Sequence, residues 1–237
     1  MSKLFKFKQF SINQDRCAMK IGTDGVLLGA WTSVVANPES ILDIGAGTGV
    51  ISLMLAQRSH AEVVDALEID VDAYEQCVEN FELSPWGNRL YCYHAGLDEF
   101  VDEIEDQYEL IVCNPPFYSE TVSSGNIQRD QARQNEFLPF NELLEGVSKL
   151  LAENGVFNTI IPFKEKDAFV KMAADLGLFL KDCMHVKGNS EADFKRALLA
   201  FSRKQQDCKV SELIIETDRH QYTPEYVELT KEFYLKM

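Results

Sequence analysis

Three glycines, Gly45, Gly47 and Gly49, stand at alternate positions directly after the apolar run Ser40-Ile41-Leu42-Asp43-Ile44. Residues without a Cβ permit a tight turn and let another molecule lie against bare backbone. Val50 to Ala56 follows with helical character. A glycine turn between a strand and a helix sets the positive end of that helix beside whatever the turn holds. Strands joined this way belong to a parallel sheet with ligands at its carboxyl edge.

The rest of the chain repeats the strand-then-helix rhythm. Val63 to Asp70 reads as a second strand, with a helix after it through Ala73, Cys77 and Asn80. Leu90 to His94 is a third strand and Tyr108 to Cys113 a fourth. Phe140 to Leu151 carries apolar residues at helical spacing, and Gly155 to Pro162 is a fifth strand. Lys166 to Leu176 is a helix stopping near Gly177, Ala197 to Ser202 a strand, and Ser211 to Glu216 another short one. Ser119 to Asn135, polar and rich in Ser, Gly and Gln, reads as a long loop, either a functional lid or simple disorder. No repeat or linker divides the chain. The expectation is one domain over 1–237, with an N-terminal extension of strand character over 1–35.

Two carboxylates sharpen the glycine turn. Asp43 precedes it and would repel a pyrophosphate, whereas Glu68 closes the next strand, with Ile69 after it, where a carboxylate accepts hydrogen bonds from both hydroxyls of a ribose. A purely structural glycine turn is the alternative. Asn114-Pro115-Pro116-Phe117 ends the fourth strand. Its prolines stiffen the backbone and remove two N–H donors, which leaves carbonyl acceptors and the Asn amide. The Asn114 side-chain oxygen and the Pro115 carbonyl can each accept one N–H of a planar amino group, and Phe117 offers a face for stacking. Taken alone, Asn-Pro is also a common turn signal. Its place on the same sheet edge as Glu68 favours the functional reading.

With 46% hydrophobic and 26% charged residues, the chain can bury a full core. No apolar run approaches the ~18 residues of a membrane span, and no signal-peptide pattern opens it, so a cytoplasmic protein is expected. The six cysteines include no CxxC pair, and neither a metal site nor a disulfide frame is indicated. The net charge of −15 argues against a surface that grips a polyanion everywhere. Basic residues gather in two places: Lys3, Lys6, Lys8, Arg16 and Lys20, and then Lys195, Arg196, Arg203, Lys204 and Lys209. Such strips bind RNA or are ordinary solvated charge.

An Asp-x-Gly-x-Gly-x-Gly turn followed by Asn-Pro-Pro-Phe resembles the class I methyltransferases that act on amino groups. Within them, the chain resembles the bacterial tRNA1(Val) adenine-37 N6-methyltransferase family. The resemblance rests on Phe7-Lys8-Gln9-Phe10, on Cys17 to Trp31, on Phe194-Lys195-Arg196-Ala197-Leu198-Leu199, and on Tyr222 to Tyr226 with Phe233-Tyr234-Leu235. It implies a Rossmann-like α/β fold with helices on both faces of a seven-stranded, mostly parallel sheet whose last strand is inserted antiparallel. It also implies S-adenosyl-L-methionine as cofactor and the anticodon loop of a tRNA as partner, with no metal; a monomer is assumed.

Carried over by residue, Asn114, Pro115 and Phe117 would be catalytic, and Asn114 would also contact the cofactor. Asp43, Gly45 and Gly47 would line the methionine side, Glu68 and Ile69 the ribose, and Lys20 to Asp24, Thr23 included, would close over the cofactor. Helix capping by Thr23 or Asp24 is an equal explanation for that last segment. After the third strand the chain reads His94-Ala95-Gly96-Leu97-Asp98, where the family carries an acidic residue for the cofactor's adenine. Either Asp98 is a shifted version of it or Leu97 packs on the adenine. Alternative activities are a guanine-N2 rRNA methyltransferase, a protein glutamine methyltransferase and a non-catalytic RNA-binding protein.

Overall fold

The computed structural model describes residues 4–116 and 138–237. The expected loop over 119–135 lies outside the described residues, as does Phe117. Two short strands, β1 (Phe5–Lys6) and β2 (Ser11–Ile12), open the chain as an antiparallel pair. They are followed by α1 (Thr23–Trp31), β3 (Ser40–Ile44), α2 (Val50–Arg58), β4 (Val63–Glu68), α3 (Val71–Glu82), β5 (Leu90–His94), α4 (Leu97–Glu103) and β6 (Tyr108–Cys113). After the second described stretch begins come α5 (Phe140–Leu150), β7 (Leu151–Pro162), α6 (Lys166–Asp175), β8 (Phe179–Lys187), β9 (Arg196–Ser202) and β10 (Lys209–Ile214). A small pair, β11 (Glu216–Asp218) and β12 (Gln221–Tyr222), and the helix α7 (Pro224–Thr230) complete it.

The main sheet runs β10-β8-β9-β7-β6-β3-β4-β5. All its pairings are parallel except those of β9, which lies antiparallel between β7 and β8. Among the described residues the sheet expected to have seven strands has eight, and its antiparallel strand is followed by a last parallel one, β10. The missed strand is β8. Its polar residues Lys181, Asp182 and His185 break the alternation, and only Cys183 and Val186 are fully buried along it. Pairing with β9 on one side and β10 on the other makes it a strand, which local pattern does not reveal. The second strand stops at Glu68 instead of running to Asp70, because Asp70 caps α3 by accepting the Ala73 N–H at 2.8 Å.

Side chains alternate across the central strands and so build two cores. Ile41, Val64, Ala66, Leu110 and Val112 face α1, α2 and α3. Leu42, Ile44, Leu67, Ile111 and Cys113 face α4, α5 and α6. Burial on both faces is why these strands read as nearly continuous apolar runs. Cys17, Cys77, Cys113 and Cys183 are buried free thiols, and burial pushes the Cys17 thiol up to about 12. They act as small apolar side chains. The two chain ends meet: Phe7 stacks on Phe10 at 4.7 Å and on Tyr234 at 6.0 Å, and Lys8 N–H donates to the Phe233 carbonyl at 2.9 Å.

Two arginines serve the fold by satisfying exposed carbonyls at helix ends. Arg58 donates to the Gly29 and Thr32 carbonyls, both at 2.7 Å, and so closes α1. Arg89 donates to the Ala61, Ala56 and Ser59 carbonyls at 2.6, 2.7 and 3.1 Å around the end of α2.

Gly49 is the position where the glycine turn meets α3. Its φ is +77°, and an added Cβ would lie 2.6 Å from Phe81 Cε1 and 2.9 Å from Cys77 Sγ. Gly49→Ala is therefore expected to lose about 1–3 kcal/mol of stability, from overpacking added to backbone strain. Urea unfolding at an unchanged m-value measures it; a loss within the error of the fit would refute the packing argument.

Candidate active site

Strand register sets the site. Ile44 pairs with Leu67 on one side and with Cys113 on the other, and Glu68 pairs with His94. The residues that follow these strand ends are thereby brought to one edge of the sheet, although they are far apart in sequence. A cleft of about 360 Å³ opens there, lined by Lys20 to Gly25, by Gly45 to Thr48 and by Asn114 to Pro116.

Gly45 and Gly47 have φ of +72° and +56°, and an added Cβ at either would meet nothing within 4 Å. Space rather than protein lies over them, which makes this turn a cradle for a ligand. The Gly45 and Ala46 N–H groups both donate to the Leu67 carbonyl at 2.9 Å, which fixes the turn against β4. Glu68 sits behind the cradle, 9% exposed. Its carboxylate accepts the Gly47 N–H at 2.7 Å and the Asp70 N–H at 2.9 Å, while burial raises its pKa.

Asp43 is 1% exposed. One of its oxygens, Oδ2, accepts from the Ser52 N–H at 3.1 Å and from the Ser52 hydroxyl at 2.7 Å. The other, Oδ1, is buried with no protein partner. Burial outweighs the Ser52 bonds and lifts the carboxyl to about 6. Asn114 has the same character: its Oδ1 is buried without a partner at the cavity wall, next to Pro115. An orphaned buried acceptor is costly unless something donates to it. Two such acceptors flank a glycine cradle, so the site suits a ligand that brings N–H or O–H donors.

Lys20 and Thr23 also line the cleft. The capping explanation for the 22–25 turn does not hold, because the N-cap of α1 is Gly22 with no side-chain cap bond. Asp24 instead pairs with Arg196 at 2.7 Å, from the first residue of β9. Arg196 stands in the sequence within a basic cluster and a family-like segment, but its pairing spans 172 positions, so no local signal carries it.

Other expected residues lie apart from this cleft. Ile69 is 53% exposed past the end of β4, and its carbonyl lies 3.0 Å from His94 Nε2, whose ring stacks on Tyr74. Leu97 and Asp98 line a second cleft, of about 470 Å³, between α4 and α5, which contains neither the glycine turn nor Asn114. Of these two, Leu97 is turned into the core: a Cβ on Gly146 would lie 2.6 Å from Leu97 Cδ2. Asp98 is exposed and turned back on the strand end, with its Oδ1 only 2.7 Å from where a Cβ on Gly96 would sit; the same Cβ would lie 3.8 Å from Ile69 Cδ1. The two side chains therefore part at this strand end, Leu97 inward and Asp98 towards solvent.

The basic cluster at 195–204 does not form one patch. Because β9 runs antiparallel, Arg196 at its start meets the cleft-lining Asp24, and Arg203 and Lys204 lie about 20 Å away past the other end. There Arg203 donates to the Ser148 and Leu151 carbonyls at 2.6 and 2.8 Å, and Lys204 to Asn154 at 2.9 Å. In the N-terminal strip, Arg16 is engaged by Glu75 and Glu79 of α3. Among the described residues no cluster of three or more His, Cys, Asp or Glu side chains is placed to hold a metal ion, and no helix is long and apolar enough to cross a membrane.

Comparison with known proteins bears on the family and the fold. Residues 26–161 match the methyltransferase small domain family, which covers more than half of the chain. A tRNA1(Val) (adenine(37)-N6)-methyltransferase of Flavobacterium johnsoniae is 60% identical over 235 residues, 99% of this chain and 100% of the relative. Proteins of the same description from Bacteroides fragilis and Photorhabdus laumondii are 46% and 40% identical, each over 98% of this chain and over 98% and 95% of their own length. Among solved structures, a predicted O-methyltransferase of Agrobacterium tumefaciens superposes with a TM-score of 0.67 at 18% identity, over 89% of this chain and 96% of that one. M. jannaschii TYW2 in complex with AdoMet superposes with 0.58 at 17% identity, over 86% and 87%. At such identities the structures speak for the fold, a class I methyltransferase fold. With the family model and relatives matched end to end, the chain belongs to the tRNA1(Val) (adenine(37)-N6)-methyltransferase family.

Proposed function

We propose that this chain uses S-adenosyl-L-methionine to methylate the exocyclic N6 amino group of an adenosine in tRNA, adenine 37 in the anticodon loop of tRNA1(Val). The observation that carries the reading is the buried, unpartnered Asn114 Oδ1 beside the Pro115 backbone at the cleft wall. The substrate follows the names of relatives that match this chain over nearly its whole length. A tRNA substrate would be met in the cytoplasm.

The cleft fits the cofactor. Gly45 and Gly47 leave room over the backbone, and the free Asp43 Oδ1 can accept from an ammonium group through that turn. Glu68 can accept from ribose hydroxyls once a ligand competes for the Gly47 N–H. Lys20 and Thr23 close the opposite wall, and Ile69 and Asp98 lie on the side where β4 and β5 end. The bound cofactor supplies an electrophilic methyl group on a sulfonium.

Everything else is supplied by the chain. Asn114 Oδ1 accepts one N–H of the adenine amino group, and the Pro115 carbonyl accepts the other. Held by both hydrogens, the nitrogen loses conjugation with the ring and its lone pair is turned towards the methyl carbon. Orientation of this kind accounts for a large part of a barrier, and no strong base is required before attack. Phe117, outside the described residues, is the aromatic residue proposed to stack on the base. An adenosine in a loop is already partly unstacked, which lowers the cost of bringing it to the site.

Two outcomes are expected. Asn114→Ala should bind S-adenosylhomocysteine within a few-fold of wild type yet lose roughly 100-fold or more in methyl transfer to unmodified tRNA, since orientation is its role. Nucleoside analysis of the wild-type product should give N6-methyladenosine; methylguanosine, or no labelled RNA, would overturn the assignment.

Asp43 yields the second outcome. Its folded pKa, about 6, is above its ordinary value of 3.8, so the protonated form is favoured by folding. The ionised carboxylate therefore costs stability in full above about pH 6, and the cost shrinks as pH falls towards the ordinary value. Asp43→Asn should raise Tm by a few degrees at about pH 8, with a smaller gain at about pH 5, while cofactor affinity falls at least about tenfold. A Tm gain independent of pH would show that the carboxylate is not the cause.

A further inference from the structure

The wall of the cleft formed by Lys20 to Gly25 is carried on a segment that makes no strand pairing of its own between β2 and α1. Besides the ion pairs of Arg16 with Glu75 and Glu79 and of Asp24 with Arg196, and the Ile21 N–H bond to Gln14, its main chain is fastened by hydrogen bonds to two side-chain amides on one face of α3. Asn80 Oδ1 accepts the Asn13 N–H at 2.8 Å, and its Nδ2 donates to the Asn13 carbonyl and to the Thr48 carbonyl, both at 2.9 Å. One turn earlier, Gln76 Oε1 accepts the Arg16 and Cys17 N–H groups at 3.0 and 3.3 Å, and its Nε2 donates to Asp15 Oδ1 at 2.9 Å. Both amides are 1% exposed.

Their chemistry is specific. Residues four apart share one helix face, and the neighbours of this pair, Cys77 and Phe81, belong to the apolar core. Apolar side chains at 76 and 80 would bury equally well but would hold no main-chain register. Buried amides with their donors and acceptors satisfied select one placement of the segment. Thr48 is itself a lining residue of the cleft. Asn80 thus joins the glycine turn and the N-terminal segment, the two opposite walls, through a single side chain.

We infer that Gln76 and Asn80 are positioning residues for cofactor capture: they clasp residues 13–17 so that Lys20 to Gly25 stand against the glycine turn. The inference rests on reading the cleft as the cofactor site. It is tested by measuring the Kd of S-adenosylhomocysteine, the KM for S-adenosylmethionine, kcat and Tm in Gln76→Ala and Asn80→Ala. Tryptic cleavage after Arg16 and Lys20, without any cofactor, is followed in the same proteins. Losing these bonds should raise KM and Kd by roughly tenfold, leave kcat at saturating cofactor within about twofold, and speed cleavage at both sites.

Gln76→Glu alone would set a second carboxylate against Asp15. Combined with Asp15→Asn, it would reform the bond with donor and acceptor exchanged, and KM should return to within about threefold of wild type. Arg89→Ala, whose bonds lie around the end of α2, is the control for simple destabilisation. If the amide variants lower Tm as that control does but leave KM, Kd and cleavage unchanged, the clasp is overturned. Should Asn80→Ala fail to fold, the Gln76 single and paired variants decide. A wild-type protein that binds no S-adenosylhomocysteine would overturn the reading of the cleft, and the cleavage comparison would still judge the clasp.

Discussion

Strand β3 lies between β4 and β6, parallel to both and buried on its two faces. Its register places Asp43 opposite Ala66 and Val112, and the chain turns through the glycines one residue beyond the last pair. Because all three strands point the same way, the turn after β3, the carboxylate of Glu68 and the amide of Asn114 emerge side by side. A one-residue slip in either pairing would move every alternate side chain to the other face and bury the wrong set. The two apolar cores, on opposite sides of the sheet, are what forbid that slip.

That apolar frame allows the site to be poorly satisfied. Asp43 and Asn114 each keep a buried oxygen without a protein partner, and Asp43 bears a raised pKa as the consequence. Other polar side chains spend their bonds on the fold. Arg58 and Arg89 close open carbonyls, and Gln76 and Asn80 spend their donors and acceptors on the N-terminal segment. Beside the glycine turn the unpartnered oxygens of Asp43 and Asn114 are acceptors that a donor-bearing ligand can satisfy, whereas the amides of Gln76 and Asn80 are already satisfied by the segment they hold.

Most of the central strands were legible in the sequence, because burial on both faces writes itself as an apolar run ending in a turn. Leu90 to His94 and Tyr108 to Cys113 are found at their expected limits. Residues 179–187 were not legible, since a half-buried strand with Lys181, Asp182 and His185 carries no clear period. The short helix α4 went unread as well; three apolar residues, Leu97, Phe100 and Val101, span barely one turn and set no sustained period. In the site, Asp43, Gly45, Gly47 and Asn114 were readable from residue type and order. The different placement of Leu97 and Asp98 was not readable, because the leucine packs against Gly146 of a helix far away in sequence.

The sequence by itself determined the chemistry: a glycine turn with flanking carboxylates, then a rigid strand end with an amide, since each of these is a local arrangement of a few adjacent residues. Only the tertiary structure decided which distant groups complete the site. The pairing of Asp24 with Arg196, the split of the basic cluster between the two ends of β9, and the link from Asn80 to both Asn13 and Thr48 depend on strand order and direction. Those are set by packing across the sheet, where contacts form between segments that share no local signal.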